Sequence, residues 1–165
     1  VFLRAGTYQA AGDLDLSVFK NVILAGENYH TVIDLQGRNL IISNDVDSVF
    51  ELDHLKFINV GEVQVTSKGN IFISETTFPK TTPITVYAYN GSSTYLNYLS
   101  AGDLTIEGEE DSELINVNVN GCILANVAIN KDKVYLKNSS LNELSISTDK
   151  TIVLRSNVIN KLKNN

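Results

Sequence analysis

Phe50-Glu51-Leu52-Asp53-His54-Leu55-Lys56-Phe57 decides the fold. Apolar and polar residues alternate over its first four positions, the period of a strand with one buried face. After the second anchor, Leu52, an apolar residue returns five positions later, at Phe57. The same pattern, Φ-x-Φ-x-polar-x-x-Φ, opens at Ile71, Val134 and Ile152 and closes at Phe78, Leu141 and Ile159. Its polar position holds His54, Glu75, Asn138 and Ser156. Cys122 to Ile129 also fits, although Cys122 lies only 12 residues before Val134, so not every match is the same strand of its unit.

Outward from these runs, strand starts recur near Val22, Leu40, Val63, Ile84, Leu104, Leu124 and Leu144, in steps close to twenty residues. Such a period with two or three short strands per unit reads as a solenoid. One unit cannot bury its own apolar face, so stacked units share a core. The expectation is a single all-β domain over residues 1–165, a parallel β-helix of about seven coils of roughly twenty residues. Leu52, Ile73, Leu136 and Leu154 then pile into inward columns. Asn126, Asn138, Asn157 and Asn160 suit tight bends, because Asn tolerates the left-handed region. Thr94 to Leu99 fits the pattern worst and reads as a longer loop after the turn dipeptide Asn90-Gly91.

Val1-Phe2-Leu3-Arg4-Ala5-Gly6-Thr7-Tyr8 resembles the opening coil of pectate-lyase-like β-helix proteins, where a strand enters a Pro-Gly-Thr-Tyr turn; Ala5 departs from the Pro. Lys20 to Glu27 followed by Thr31-Val32-Ile33-Asp34 is similar to the second coil of that superfamily. The resemblance implies a right-handed parallel β-helix. It leaves function open, because lyases, hydrolases, esterases, phage tailspikes and adhesins share the scaffold.

A net charge of −6 and a pI near 4.8 argue against nucleic acid or an anionic membrane as a main partner. No stretch approaches the roughly 18 apolar residues of a membrane helix. The chain contains no Met and opens on a strand-like stretch, so it is expected to be a piece of a longer, extracellular, cell-surface or virion protein. Cys122, the single cysteine, reads as a small core residue.

Chemistry is sparsely represented. Arg occurs only at 4, 38 and 155, away from carboxylate clusters, and the Gly-His-Gly and Arg-Ile-Lys motifs of polygalacturonase-type hydrolases are missing. The remaining catalytic candidates are Glu51, Asp53, His54 and Glu75. Alternation points Glu51 and Asp53 outward, and His54 and Glu75 hold equivalent turn positions, roughly 5 Å apart if the coils stack. A carboxylate beside a His can act as an acid–base pair; an ordinary solvated ion pair at a turn is the favoured reading. The acidic run from Glu107 to Glu113 is oxygen-rich, as Ca²⁺-binding loops are, but lacks the ligand spacing of an EF-hand; a solvated loop with no metal or cofactor is the favoured reading, and Ca²⁺ the weaker alternative. His30 has no evident partner, and Asp45-Val46-Asp47 is a weaker acidic pair.

The binding candidates are aromatic. In Ile84 to Tyr89 alternation turns Tyr87 and Tyr89 outward, and Tyr95 and Tyr98 follow. Exposed Tyr rings on a flat β-face stack on sugars or on a protein partner. Outward Phe72, Tyr135 and Val153 hold equivalent positions and form a candidate contact stripe. The open strand edges of a β-helix need covering, so flanking domains or other subunits, as in a homotrimer, are the expected partners. The expected function is a non-catalytic structural or attachment module contacting glycans; the alternative is a polysaccharide lyase or glycoside hydrolase working on the helix exterior.

Overall fold

A computed structural model describes residues 1–17, 19–109, 116–131, 133–147 and 152–164. Within these residues every element is a strand and every pairing is parallel. The chain is a β-solenoid of about seven turns of about 22 residues. No helix long and apolar enough to cross a membrane occurs among the described residues.

The first sheet stacks β1 (Phe2–Leu3), β4 (Val22–Gly26), β6 (Val49–Asp53), β8 (Asn70–Ser74), β10 (Ser93–Asn97), β12 (Asn116–Asn120), β14 (Val134–Lys137) and β16 (Ile152–Arg155). The second stacks β2 (Gly6–Gln9), β5 (Thr31–Asn44), β7 (Lys56–Ser67), β9 (Ile84–Ala88), β11 (Leu104–Gly108), β13 (Ile123–Ile129), β15 (Ser140–Ile146) and β17 (Val158–Asn164), with β3 (Leu14–Asp15) also paired to β5. A third side closes the section. Lys56, Thr77, Ser100 and Ile123 pair along it.

Each side contributes an inward column. Leu24, Leu52, Ile73, Leu96, Val119, Leu136 and Leu154 lie in register along the first sheet. Leu40, Val63, Ile84, Leu104, Val127 and Leu144 do so along the second. On the third side Phe57 stacks on Phe78 with ring centroids 4.8 Å apart. Nearly all these side chains are buried, whereas Leu154 and Leu162 of the last coil are exposed. Removing apolar area from water along shared columns is the main stabilising term, roughly 1.5–3 kcal/mol per buried Val, Leu, Ile or Phe.

From β6 onward the corner leaving the first sheet is built the same way in each coil. The residue after the strand takes the left-handed conformation: φ is 52° at His54, 45° at Glu75, 53° at Tyr98, 67° at Gly121, 49° at Asn138 and 54° at Ser156. The residue after that, from Leu55 through Leu99 and Cys122 to Ser139, points inward and is buried. Only Gly and Asn accept this conformation readily; the other residues carry about 1–2 kcal/mol of strain each.

Four expectations are corrected. Thr94 to Leu99 is not a loop: Ser93–Asn97 is the regular strand β10. Its inward anchors are Thr94 and Leu96, and a polar first anchor hides the pattern. The coil containing Cys122 has its anchors at Val117 and Val119, with Gly121 at the corner. In the second-sheet series Val127, rather than Leu124, continues Leu104, and Val22 belongs to the first sheet. Asn138 and Asn157 lie in the bend, where Asn157 accepts from the Ser139 N–H at 2.9 Å and donates to the Leu136 carbonyl at 2.8 Å. Asn126 and Asn160, by contrast, lie within β13 and β17.

Candidate functional site

The corner brings Asp53, His54 and Glu75 together. Asp53 ends β6 pointing outward, and the left-handed turn at His54 folds its ring back toward Asp53. Glu75 occupies the same corner one coil on. His54 Nδ1 lies 2.7 Å from Asp53 Oδ2, and Nε2 lies 2.9 Å from Glu75 Oε2. The hydrogen bond to Asp53 raises the His54 pKa above 6.5; partial burial opposes this, and the charges of Asp53 and Glu75 add to it. When protonated, the ring donates from both nitrogens and has no lone pair left to accept a further proton. The side chains are 41%, 27% and 55% exposed for His54, Asp53 and Glu75, so solvent screens the two pairs, each worth at most about 1 kcal/mol.

Glu51 points outward from the same strand but opposes Ile23 and Phe72, so it stands beside apolar neighbours. A shallow, open depression next to the cluster is lined by Glu75, Thr77 and Tyr98. Glu75 thus borders the depression, while Asp53 is half-buried beside it at the end of β6.

The four tyrosines are distributed over three places. Tyr87 and Tyr89 lie at the second sheet, with ring centroids 5.2 Å apart and tilted by 60°. With Glu62, Gln64, Thr66 and Thr85 they line a shallow open groove. Lys68 Nζ lies 5.3 Å from the Tyr89 centroid. Tyr95 is on the first sheet, stacked on Phe72 at 4.9 Å with rings within 5° of parallel. Tyr98 is at the corner and 63% exposed, its ring lying over Gly121, where a Cβ would come within 2.6 Å of it. The single platform expected of these rings is thus divided, because Asn90-Gly91 carries the chain from one sheet to the other. The groove residues Glu62, Gln64, Thr66 and Thr85 were invisible as a group in the sequence, since coil stacking alone brings residues twenty positions apart side by side. Gln64 opposes Thr85, and Thr66 opposes Tyr87.

Other sequence candidates resolve more simply. Phe72, Tyr135 and Val153 do share one outward column. Cys122 is buried and its thiol donates to the Leu96 carbonyl at 3.3 Å. Burial pushes its pKa up to about 11, so it is an unreactive core residue. His30 packs its ring on Tyr29 at 4.1 Å. Of the acidic run, Glu107 opposes Tyr87 and Glu109 accepts from the Asn90 N–H at 3.1 Å. Glu110 to Glu113 lie outside the described residues. No group of three His, Cys, Asp or Glu side chains suited to a metal ion occurs among the described residues. No protein-family model, curated protein or solved structure matches the chain.

Proposed function

We propose that this chain is a non-catalytic structural and attachment module of an extracellular, cell-surface or virion protein, built as a right-handed β-helix of the pectate-lyase-like kind, and that it contacts glycans through the groove at Tyr87 and Tyr89. The observation carrying this reading is the groove itself. Two tilted Tyr rings offer apolar faces to a sugar ring. Gln64, Thr66, Thr85 and Glu62 supply donors and acceptors for its hydroxyls. All but Tyr89, one residue past β9, sit on stacked strands, so little order has to be gained on binding. The reading calls for no cofactor. A glycan array probed with the purified chain tests it: Tyr87→Ala/Tyr89→Ala should weaken binding about tenfold or more. Equal binding by the variant, or none by the wild type, would remove the groove from consideration.

The second reading, a polysaccharide lyase or glycoside hydrolase, is supported by one observation, the carboxylate–imidazole–carboxylate chain of Asp53, His54 and Glu75. Oligosaccharide release that disappears in His54→Gln would favour it over the attachment reading.

A further inference from the structure

The outward face of the first sheet separates its charges by coil. Between Val22 and Arg155 its strands carry four outward charged side chains: Glu51 and Asp53 on β6, and Lys137 and Arg155 on β14 and β16. The intervening outward positions of the same two columns are uncharged: Phe72, Ser74, Tyr95, Asn97, Asn118, Asn120 and Tyr135. One end of the face is therefore acidic, the other basic, and the middle holds the Phe72–Tyr95 stack. The Phe72 and Tyr95 rings stack face to face along the column, and at the basic end Lys137 Nζ stands 5.6 Å from the Tyr135 centroid.

We infer that this face docks on the same face of a second copy, with the two solenoids running antiparallel. The occupant follows from the charges. A two-fold axis parallel to the strands, between β10 and β12, keeps each outward column opposite itself and reverses the coil order. It sets Asp53 opposite Arg155, Ser74 opposite Lys137, and Phe72 opposite Tyr135, each twice, as an isologous contact requires. Face-to-face packing with the copies parallel would place Glu51 and Asp53 against themselves, and like charges across an interface oppose association. The seven strands from β4 to β16 span roughly 30 Å by 16 Å, so two faces cover about 1,000 Å², near the lower bound for a specific contact. A weak dimer, dissociating in the micromolar range, is therefore expected. The competing assembly is the homotrimer expected from the open strand edges. It also leaves the Tyr87 groove on the other sheet open, so the two proposals fail independently.

Sedimentation equilibrium of the intact chain tests it. At 100 µM and low salt the wild type should be a dimer that weakens at 0.5 M NaCl. Glu51→Lys/Asp53→Lys and Lys137→Glu/Arg155→Glu should each associate at least tenfold more weakly, and an equimolar mixture of the two should recover association. That recovery also demonstrates that both variants are folded. Orientation is read by disulfide trapping, for which the buried native Cys122 is silent: Ser74→Cys should link to Lys137→Cys in a mixture and not to itself. A monomeric wild type, a trimer, an unrecovered mixture or efficient Ser74→Cys self-linking would each overturn the inference.

Discussion

Each coil has one arc of fixed length and one of variable length. From the first inward anchor of the first sheet to the third side takes seven residues in every complete coil from Phe50 onward: Phe50 to Phe57, Ile71 to Phe78, Thr94 to Ala101, Val117 to Leu124, Val134 to Leu141 and Ile152 to Ile159. The return from the second sheet to the next first-sheet anchor takes eight residues from Val63 to Ile71, thirteen from Leu104 to Val117 and seven from Val127 to Val134. The fixed arc contains the left-handed corner, whose backbone geometry allows one residue between an outward strand end and the next inward side chain. The described return arcs contain turns such as Asn90-Gly91, where length changes cost little. Register along the stack is therefore set at one corner of the section.

The largest expected effect comes from breaking the fixed arc. One Gly inserted between Asp53 and His54 displaces β7 by one position against β5 and breaks the register between the coils on either side, so cooperative thermal unfolding followed by circular dichroism should be lost. The same insertion at Asn90-Gly91, in a return arc, should leave the transition within a few degrees.

Next are the columns that the fixed arc aligns. Leu52 is fully buried, and Leu52→Ala should cost about 2–5 kcal/mol in urea denaturation. Thr94 holds the neighbouring anchor with a buried hydroxyl that lacks a hydrogen-bond partner. Thr94→Val removes that unsatisfied group at nearly constant shape and should stabilise the fold by about 1 kcal/mol. A destabilised Thr94→Val would show that the hydroxyl is satisfied in solution.

At the corner itself the effects are smaller and of opposite sign at two positions. Gly121 has φ 67° and sits under the Tyr98 ring, so Gly121→Ala should lose about 1–2 kcal/mol. Ser156→Gly, with φ 54° and no such neighbour, should gain a few tenths, because relief of strain is partly offset by the greater freedom of Gly in the unfolded chain.

The smallest effect is the pH dependence of the exposed cluster. The folded pKa of His54 is raised, so its contribution is complete below the unfolded value of 6.5 and fades as pH rises through the folded value. Wild type should lose a fraction of a kcal/mol between pH 6 and pH 8.5 relative to His54→Gln, as read by urea midpoints. Parallel curves for the two proteins would mean that the ion pairs contribute nothing in solution.

The same contrast explains what was legible in the sequence. The recurring apolar template is the fixed arc written in residues, so the coils of Phe50, Ile71, Val134 and Ile152 could be read directly. The coil of Thr94 could not, because its anchors at the two ends of the arc are Thr94 and Ala101, one polar and one small. Gly121 masked the next coil in the same way, being neither polar nor apolar at the corner position. The corner cluster was legible because His54 and Glu75 occupy the same template position. The faces were less so. Alternation shows that Tyr87 and Tyr95 point outward, but a turn of unknown sweep lies between them, and which side of the section each occupies depends on that sweep.

In a stack of parallel strands the backbone hydrogen bonds run along the solenoid axis, while the chain itself runs across it. Tension applied between the two ends of the molecule therefore loads the bonds of one coil at a time. Shedding a coil shortens the stack by one strand spacing, about 4.8 Å, yet releases its 17 to 28 residues, each reaching at most about 3.6 Å when drawn out. The folded rod resists bending over its length, but under a steady pull it yields as a tape unwinding from a spool.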